Sequence, residues 1–360
     1  MPKSIRTSLL LLLVVPVLWT QPAPATKLSA AQRRTVVESL SEALLARYVF
    51  PAVAAAIGPA LRTRLEAGAY DALDQPSAFA ETLTQDLRTF GKDGHFRVRH
   101  DPDFKSQPDD DRPPSPEEVS QIRTQVARRA FGIARVEQLP GNIGYLDLRG
   151  FGPTEFVGTA FSAALALLSG TEALVVDLRQ NGGGDPESVA YFVSHFFAEG
   201  DTRLLNSIYS RTRDNTHQYW TSPTVNPRYL RPLYVLTSAR TFSGGEECAY
   251  DFQTQKRAIL VGETTGGGAN PGGPAALAQG FVAFIPTGRA INPVTKGNWE
   301  GVGVKPDLAV PAAAALRTAH LAALDAILAK EKDADYRQRL EAIRSRVEKG
   351  ETEPPVYVRR

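Results

Sequence analysis

The chain has 360 residues, with 41 Lys and Arg against 39 Asp and Glu, so it is long enough for one large domain or two modest ones. At 42% hydrophobic and 22% charged residues it has the composition of an ordinary soluble globular protein. A net charge of +2 gives no electrostatic footing for nucleic acid or an anionic membrane surface, and a single cysteine, Cys248, excludes an intrachain disulfide.

Lys3 and Arg6 precede the apolar run "LLLLLVVPVLW", which is interrupted by Pro16 and followed by Ala23-Pro24-Ala25. A basic start, an apolar stretch too short to span a bilayer and a small-residue cleavage site predict a secretory signal peptide over 1–25 rather than a retained anchor. Its removal takes away two cations and no acid, so the mature chain is neutral (+2 − 2 = 0). These features predict an exported protein, periplasmic or secreted, with no membrane association once the signal is gone.

Residues 26–92 read as a small helical cap of about three helices. Ser29 and Gln32 have capping-box spacing, and Val36, Val37, Leu40, Leu44 and Leu45 are placed on one helical face. "GKDGHFRVRH" then changes to a period of two and predicts a strand. The acidic, proline-rich stretch 101–118 is expected to be a mobile loop, and a helix follows over about 116–130. Two alternating segments around Pro140-Gly141 form a hairpin pattern.

Strands and helices alternate beyond that point. "EALVVDLRQ", "LYVLTS" and "RAILVGE" are buried strands, and "EFVGTAFSAALALLSG" and "DPESVAYFVSHFFAEG" are helices. The alternation predicts an α/β core with a mostly parallel sheet over 93–312. "FVAFIPTGRAINP" reads as a late hairpin, and 313–360 as a C-terminal helical tail.

Three glycine-bearing turns follow strands, "DLRQNGGGDPES", "TFSGGEE" and "GETTGGGANPGG", and in open α/β sheets such loops gather beyond the carboxyl ends of the strands. None has the Lys-Ser/Thr ending of a P-loop or the spacing of a dinucleotide fingerprint. Acyl transfer is the alternative, since it needs a nucleophile, a base, an orienting group and donors for an oxyanion. Ser243 lies where a strand hands over to a helix, as an N-cap or as an exposed nucleophile. The N–H of Gly244 at the helix start, with one from Gly183 or Gly184, could face the oxyanion.

The available bases are His95, His100, His195, His217 and His320. His195 sits in an apolar helix, His217 in an irregular polar stretch and His320 in the tail. His95 and His100 are placed on opposite faces of one strand, so no zinc site and no cofactor are expected. His95, after the turn-like Asp93-Gly94, is the preferred base, and Cys248 reads as a buried small hydrophobe.

In this order, "IGYLDLRGF", "ALVVDLRQNGGG", "TSARTFSGGEECAY", "VGETTGGGANPGG" and "NWEGVGVKPDLAVP" resemble the tail-specific (C-terminal processing) and tricorn-core serine peptidases. "YVFP" and the helical segment ending in "DGHFRV" are similar to the branch with interphotoreceptor retinoid-binding protein modules. The resemblance implies a Clp protease/crotonase-like core with Ser243 as nucleophile. The tail-specific branch takes its base from a lysine where this chain has Gly268, so a Ser-Lys dyad is excluded. The tricorn-like arrangement implies His95 as base and Glu300 as its partner, with Gly94 replacing a serine. No peptide-binding PDZ module fits between His100 and Gly141. The implied function is a serine-type peptidase acting on peptide or protein substrates. A non-catalytic module for apolar ligands and an esterase with the same triad are the alternatives, and the oligomeric state is left open.

Overall fold

The computed structural model describes residues 27–105 and 115–351; the signal segment and residues 106–114 of the acidic loop lie outside them. Three helices open the fold: α1 (Ala30–Arg47), α2 (Pro51–Glu66) and α3 (Pro76–Gly91). The capping box forms, with Gln32 N–H donating to Ser29 Oγ at 3.2 Å and Ser29 N–H donating to Gln32 Oε1 at 2.9 Å. Val36, Val37, Leu40 and Leu44 are buried, but Leu45 is 46% exposed. The buried stripe runs through Arg33 and Ser41 instead, because a side chain on Gly58 of α2 would lie only 3.3 Å from Ser41 Cβ and glycine lets the two helices close there.

After β1 (Arg97–His100) come α4 (Pro116–Arg128), a short 3-10 turn, and the antiparallel pair β2 (Ile133–Leu139) and β3 (Ile143–Leu148). The alternating part runs α5 (Thr154–Leu168), β4 (Ala173–Asp177), α6 (Pro186–Ser194), β5 (Leu204–Ser210), β6 (Asn215–Trp220), β7 (Leu233–Thr237), α7 (Gly244–Thr254) and β8 (Ile259–Gly262). β9 (Gly272–Ala276), β10 (Phe281–Pro286), β11 (Gly288–Ile291), β12 (Leu308–Ala309), α8 (Ala312–Leu328) and α9 (Ala334–Lys349) complete it.

The main sheet has the order β12-β8-β7-β4-β3-β2, parallel except for the edge pair β2/β3. It is buried on both faces, which is why its strands read as continuous apolar runs. Along β4, Leu174 and Val176 pack under α5, α6 and α7 with Phe161, Phe192 and Phe252, while Ala173 and Val175 face Ala319, Ala323 and Leu324 of α8. The C-terminal helices are thus the second covering layer of the sheet.

Two smaller antiparallel sheets, β1-β10-β9 and β11-β5-β6, flank this core. The apolar faces of α1–α3 pack on the first, burying Phe79, Leu83 and Leu87 with Phe281, Ala283 and Ile285. The late hairpin expected at 281–293 does not form: β10 pairs with β1 and β9, whereas β11 pairs with β5, and the chain changes sheets at Thr287. Period-two patterning identifies strands but not their partners. His217, placed in an irregular stretch by sequence, lies in β6, where Asn215–Trp220 pairs with β5.

Candidate active site

The turns after β4, β7 and β8 meet at the carboxyl ends of those parallel strands. Ser243, the N-cap of α7, adopts φ 52° and ψ −124°. This left-handed conformation costs a non-glycine residue on the order of 1–3 kcal/mol and persists only where the surroundings impose it. Phe242 N–H donates to Asn181 O at 3.0 Å, and Gly245 N–H to Phe242 O at 2.9 Å, which pins the turn from both sides.

The buried carboxylate of Glu246 ties this turn to the next one. It accepts from Ser243 N–H at 2.9 Å, Gly267 N–H at 2.6 Å, Gly268 N–H at 2.8 Å and Thr265 Oγ1 at 2.5 Å. Burial pushes its carboxyl above the ordinary value, and these four donors oppose that shift by stabilising the anion. Sequence reading missed Glu246, although its place three residues after Ser243 is capping-box spacing.

Gly183 packs against the back of Ser243, so closely that a Cβ there would lie 2.8 Å from Ser243 Cβ and 2.7 Å from Gly244 N. Its own N–H is already bound to Asn181 Oδ1 at 2.8 Å. The N–H groups of Gly184 and Gly244 make no such bond among the described residues, and a Cβ on Gly244 would sit 3.0 Å from Gly184 N. The free pair of donors is therefore Gly184 and Gly244, with Gly183 as the close-packed hinge between them.

His95 lies just before β1 and reaches the same place through Phe242, the residue preceding Ser243, with ring centroids 4.6 Å apart. Phe284 stacks beyond it at 6.2 Å. The imidazole is 8% exposed, and neither ring nitrogen has a hydrogen-bond partner among the described residues, so no Ser243–His95 bond is formed in this state.

Two acids flank the ring. Asp93 Oδ1 accepts from His95 N–H at 3.0 Å and lies 3.6 Å from His95 Nδ1. Asp93 Oδ2 accepts from Asn270 Nδ2 at 2.9 Å and from the Tyr48 hydroxyl at 3.3 Å. Glu300 Oε2 accepts from Ala269 N–H at 2.6 Å, while its Oε1 is buried without a partner among the described residues. Burial, with the neighbouring charge of Asp93, pushes the Glu300 carboxyl up to about 7. One oxygen of each acid and a ring nitrogen of His95 all lie within 4.8 Å of one another. The structure therefore brings together His95 and Glu300 and adds Asp93, which the sequence offered only as part of a turn.

The glycines that depart from the related patterns have steric causes. A Cβ on Gly268 would lie 2.3 Å from Phe242 Cζ and 2.7 Å from His95 Cε1, so the imidazole and the phenyl ring fill the space where a lysine stem would start. A Cβ on Gly94 would meet the Phe242 ring at 3.3 Å.

The remaining candidates lie elsewhere. His195 is buried, with Nε2 3.1 Å from Ser162 Oγ and Nδ1 3.0 Å from Tyr191 O, and burial pushes it down to about 4. His320 Nε2 bonds Pro140 O at 2.8 Å, His100 packs on Phe281 at 4.9 Å, and His217 meets Tyr219 edge-on at 4.7 Å. Cys248 is buried, and burial holds its thiol well above the ordinary range. A cavity of about 620 Å³ opens beside Gly183 and Gly184, walled by Ile122 and Val126 of α4, Phe131, Phe151 and Val157. Between β1 and β2 the described residues hold α4 and the 3-10 turn alone as regular structure.

The chain is 27% identical over 178 residues to carboxyl-terminal-processing peptidase 1, chloroplastic, of Arabidopsis thaliana, a match covering 49% of this chain and 35% of that protein. It thus spans about a third of the length of that curated relative. Among solved structures, mature CPAF superposes with a TM-score of 0.53 at 11% identity, covering 89% of this chain and 97% of that one. A lipoprotein from Streptococcus agalactiae superposes with a TM-score of 0.51 at 14% identity, covering 88% and 100%. At such identities these likenesses establish the fold, an α/β core with a mostly parallel sheet. Residues 142–310 match the profile of peptidase family S41, and residues 26–131 match the N-terminal domain of that family as found in eukaryotic IRBP. With the two profiles in order along most of its length, the chain belongs to peptidase family S41.

Proposed function

We propose that the protein is an exported serine-type peptidase in which Ser243, His95 and Glu300 are the catalytic triad. The observation that carries the reading is an unpartnered imidazole held against the strained turn of Ser243, with a buried carboxyl within 4.8 Å of it. Closure of the cleft would let His95 Nε2 take the proton of Ser243 Oγ as that oxygen attacks the substrate carbonyl carbon. Asp93, 3.6 Å from Nδ1, and Glu300 then face the imidazolium. The N–H groups of Gly184 and Gly244 hold the oxyanion, and one such donor typically contributes about 2.7–4 kcal/mol to transition-state stabilisation. His95 returns the proton to the leaving amine, and water releases the acyl group by the reverse sequence.

Labelling by a fluorophosphonate probe tests the assignment directly. The expected result is one covalent adduct on Ser243, suppressed by His95→Ala. Undiminished labelling in Ser243→Ala, or no labelling of the folded wild type, would remove the nucleophile from the mechanism.

The cavity beside the oxyanion turn supports a peptide substrate that places an apolar side chain there. No helix of the described residues is long and apolar enough to cross a membrane, and the signal-like leader supports export. Val126 is half-buried on α4, a helix with no fully buried residue, so a polar change there leaves the fold intact. Val126→Asp is expected to lower kcat/KM for peptides with Leu or Phe next to the cleaved bond by about 10- to 100-fold, the range set by changes in an apolar pocket. Probe labelling should persist. Equal kcat/KM for such peptides in variant and wild type would separate the cavity from specificity.

A further inference from the structure

We infer that Asp93, His95 and Glu300 form a binding site for a divalent transition-metal ion, and that its occupancy switches the peptidase off. The site stands on donor geometry; only its inhibitory consequence rests on the triad reading given above. His95 has no second histidine beside it, but the fold brings it the carboxylates of Asp93 and of Glu300, from a loop far along the chain.

Asp93 Oδ1 and His95 Nδ1 are 3.6 Å apart. That is too long for a good hydrogen bond, yet close to the ~3.3 Å separating two ligands held ~2.0–2.1 Å from one tetrahedral ion. One oxygen of Glu300, one of Asp93 and a ring nitrogen of His95 lie within 4.8 Å of one another, so a shift of about an ångström, as metal sites close on their ion, completes a three-donor set. His95 Nδ1 and Nε2 and Glu300 Oε1 are buried and have no partner among the described residues.

Each carboxylate already has outer partners of the kind that orient metal ligands: Tyr48 and Asn270 on Asp93, and Ala269 N–H on Glu300. One imidazole and two carboxylates form a mixed N/O set that suits Zn²⁺, whereas Mg²⁺ and Ca²⁺ need more oxygen donors and retain water. The inhibitory consequence is a matter of lone pairs. Metal on Nδ1 leaves the single ring proton on Nε2, so His95 has no lone pair with which to accept the proton of Ser243.

Calorimetric titration of the metal-free full chain with Zn²⁺ tests this, with fluorophosphonate labelling measured in parallel. One saturable site is expected. Glu300→Gln and His95→Ala should weaken it by at least about 100-fold and Asn270→Ala by about 10- to 100-fold, while the exposed His217→Ala leaves it unchanged. Labelling should fall as the site fills and return on adding EDTA, and Mg²⁺ at the same concentrations should do neither. Absence of saturable Zn²⁺ binding in a wild type that labels normally overturns the metal site, as does binding unaffected by both His95→Ala and Glu300→Gln. Saturable binding in a protein that never labels sinks the peptidase reading and leaves the metal site standing.

Discussion

Glycine at position 243 is expected to abolish turnover and, in the same molecule, to raise resistance to unfolding. Loss of a nucleophile from a triad typically lowers kcat by ~10⁴- to 10⁶-fold, leaving what the oxyanion donors and binding supply. The second effect follows from φ 52° and ψ −124° at Ser243, a conformation that costs a side-chain-bearing residue ~1–3 kcal/mol and glycine almost nothing. The greater freedom of glycine in the unfolded chain returns ~0.5–1 kcal/mol, so Ser243→Gly should gain about 1 kcal/mol over wild type. Ser243→Ala keeps the strain and should be equally inactive at unchanged stability. Denaturant midpoints of the three proteins measure the difference. Appreciable turnover by either variant would dismiss Ser243 as nucleophile, and a less stable glycine variant would dismiss the strain argument.

The second large effect concerns two acids behind the same turn. Glu247 and Asp251 lie one helical turn apart on α7, 4% and 1% exposed. Burial pushes Glu247 up to about 8, with the charge of Asp185 adding to it, and burial with the neighbouring Glu247 holds Asp251 well above the carboxylate range. An acid whose folded pKa is raised keeps a proton that the unfolded chain has released, so stability falls as pH rises from about 4.5 towards 8. Glu247→Gln removes the Glu247 share of that dependence. It should be near neutral at pH 4 and stabilising by on the order of 3 kcal/mol at pH 8. Chemical unfolding of both proteins across that range is the check, and a difference that does not grow with pH would contradict the burial of a protonated acid.

How much of this was legible depended on how local each cause is. The cap of α1, the alternation of strands and helices and the turn at Ser243 are written in residues a few positions apart, and they were readable. So was the departure at Gly268, though its reason was not: the space a lysine would need is filled by Phe242 and His95, which no spacing rule brings to that point. Asp93 looked like turn chemistry because its partners, Tyr48 and Asn270, are 45 and 177 residues away. Gly183 and Gly184 were interchangeable in sequence, and only the bond from Gly183 N–H to Asn181 distinguishes them. The crossing at Thr287 was hidden for a different reason, since two alternating segments joined by a short link look like a hairpin whichever sheet each one joins.

That crossing has a consequence for anyone dividing the molecule. β10 gives its inner face, Phe281, Ala283 and Ile285, to the helices at the front of the chain, and five residues after Ile285 Ala290 of β11 is buried in the main core. Cutting away α1–α3 would strip water-excluding cover from a strand that is continuous with the peptidase core and would unseat the segment carrying His95. The N-terminal helices are therefore not an accessory that can be exchanged like a tethered module. Shortening or swapping them reshapes the cleft itself, and a graft would have to carry β9 and β10 along with it.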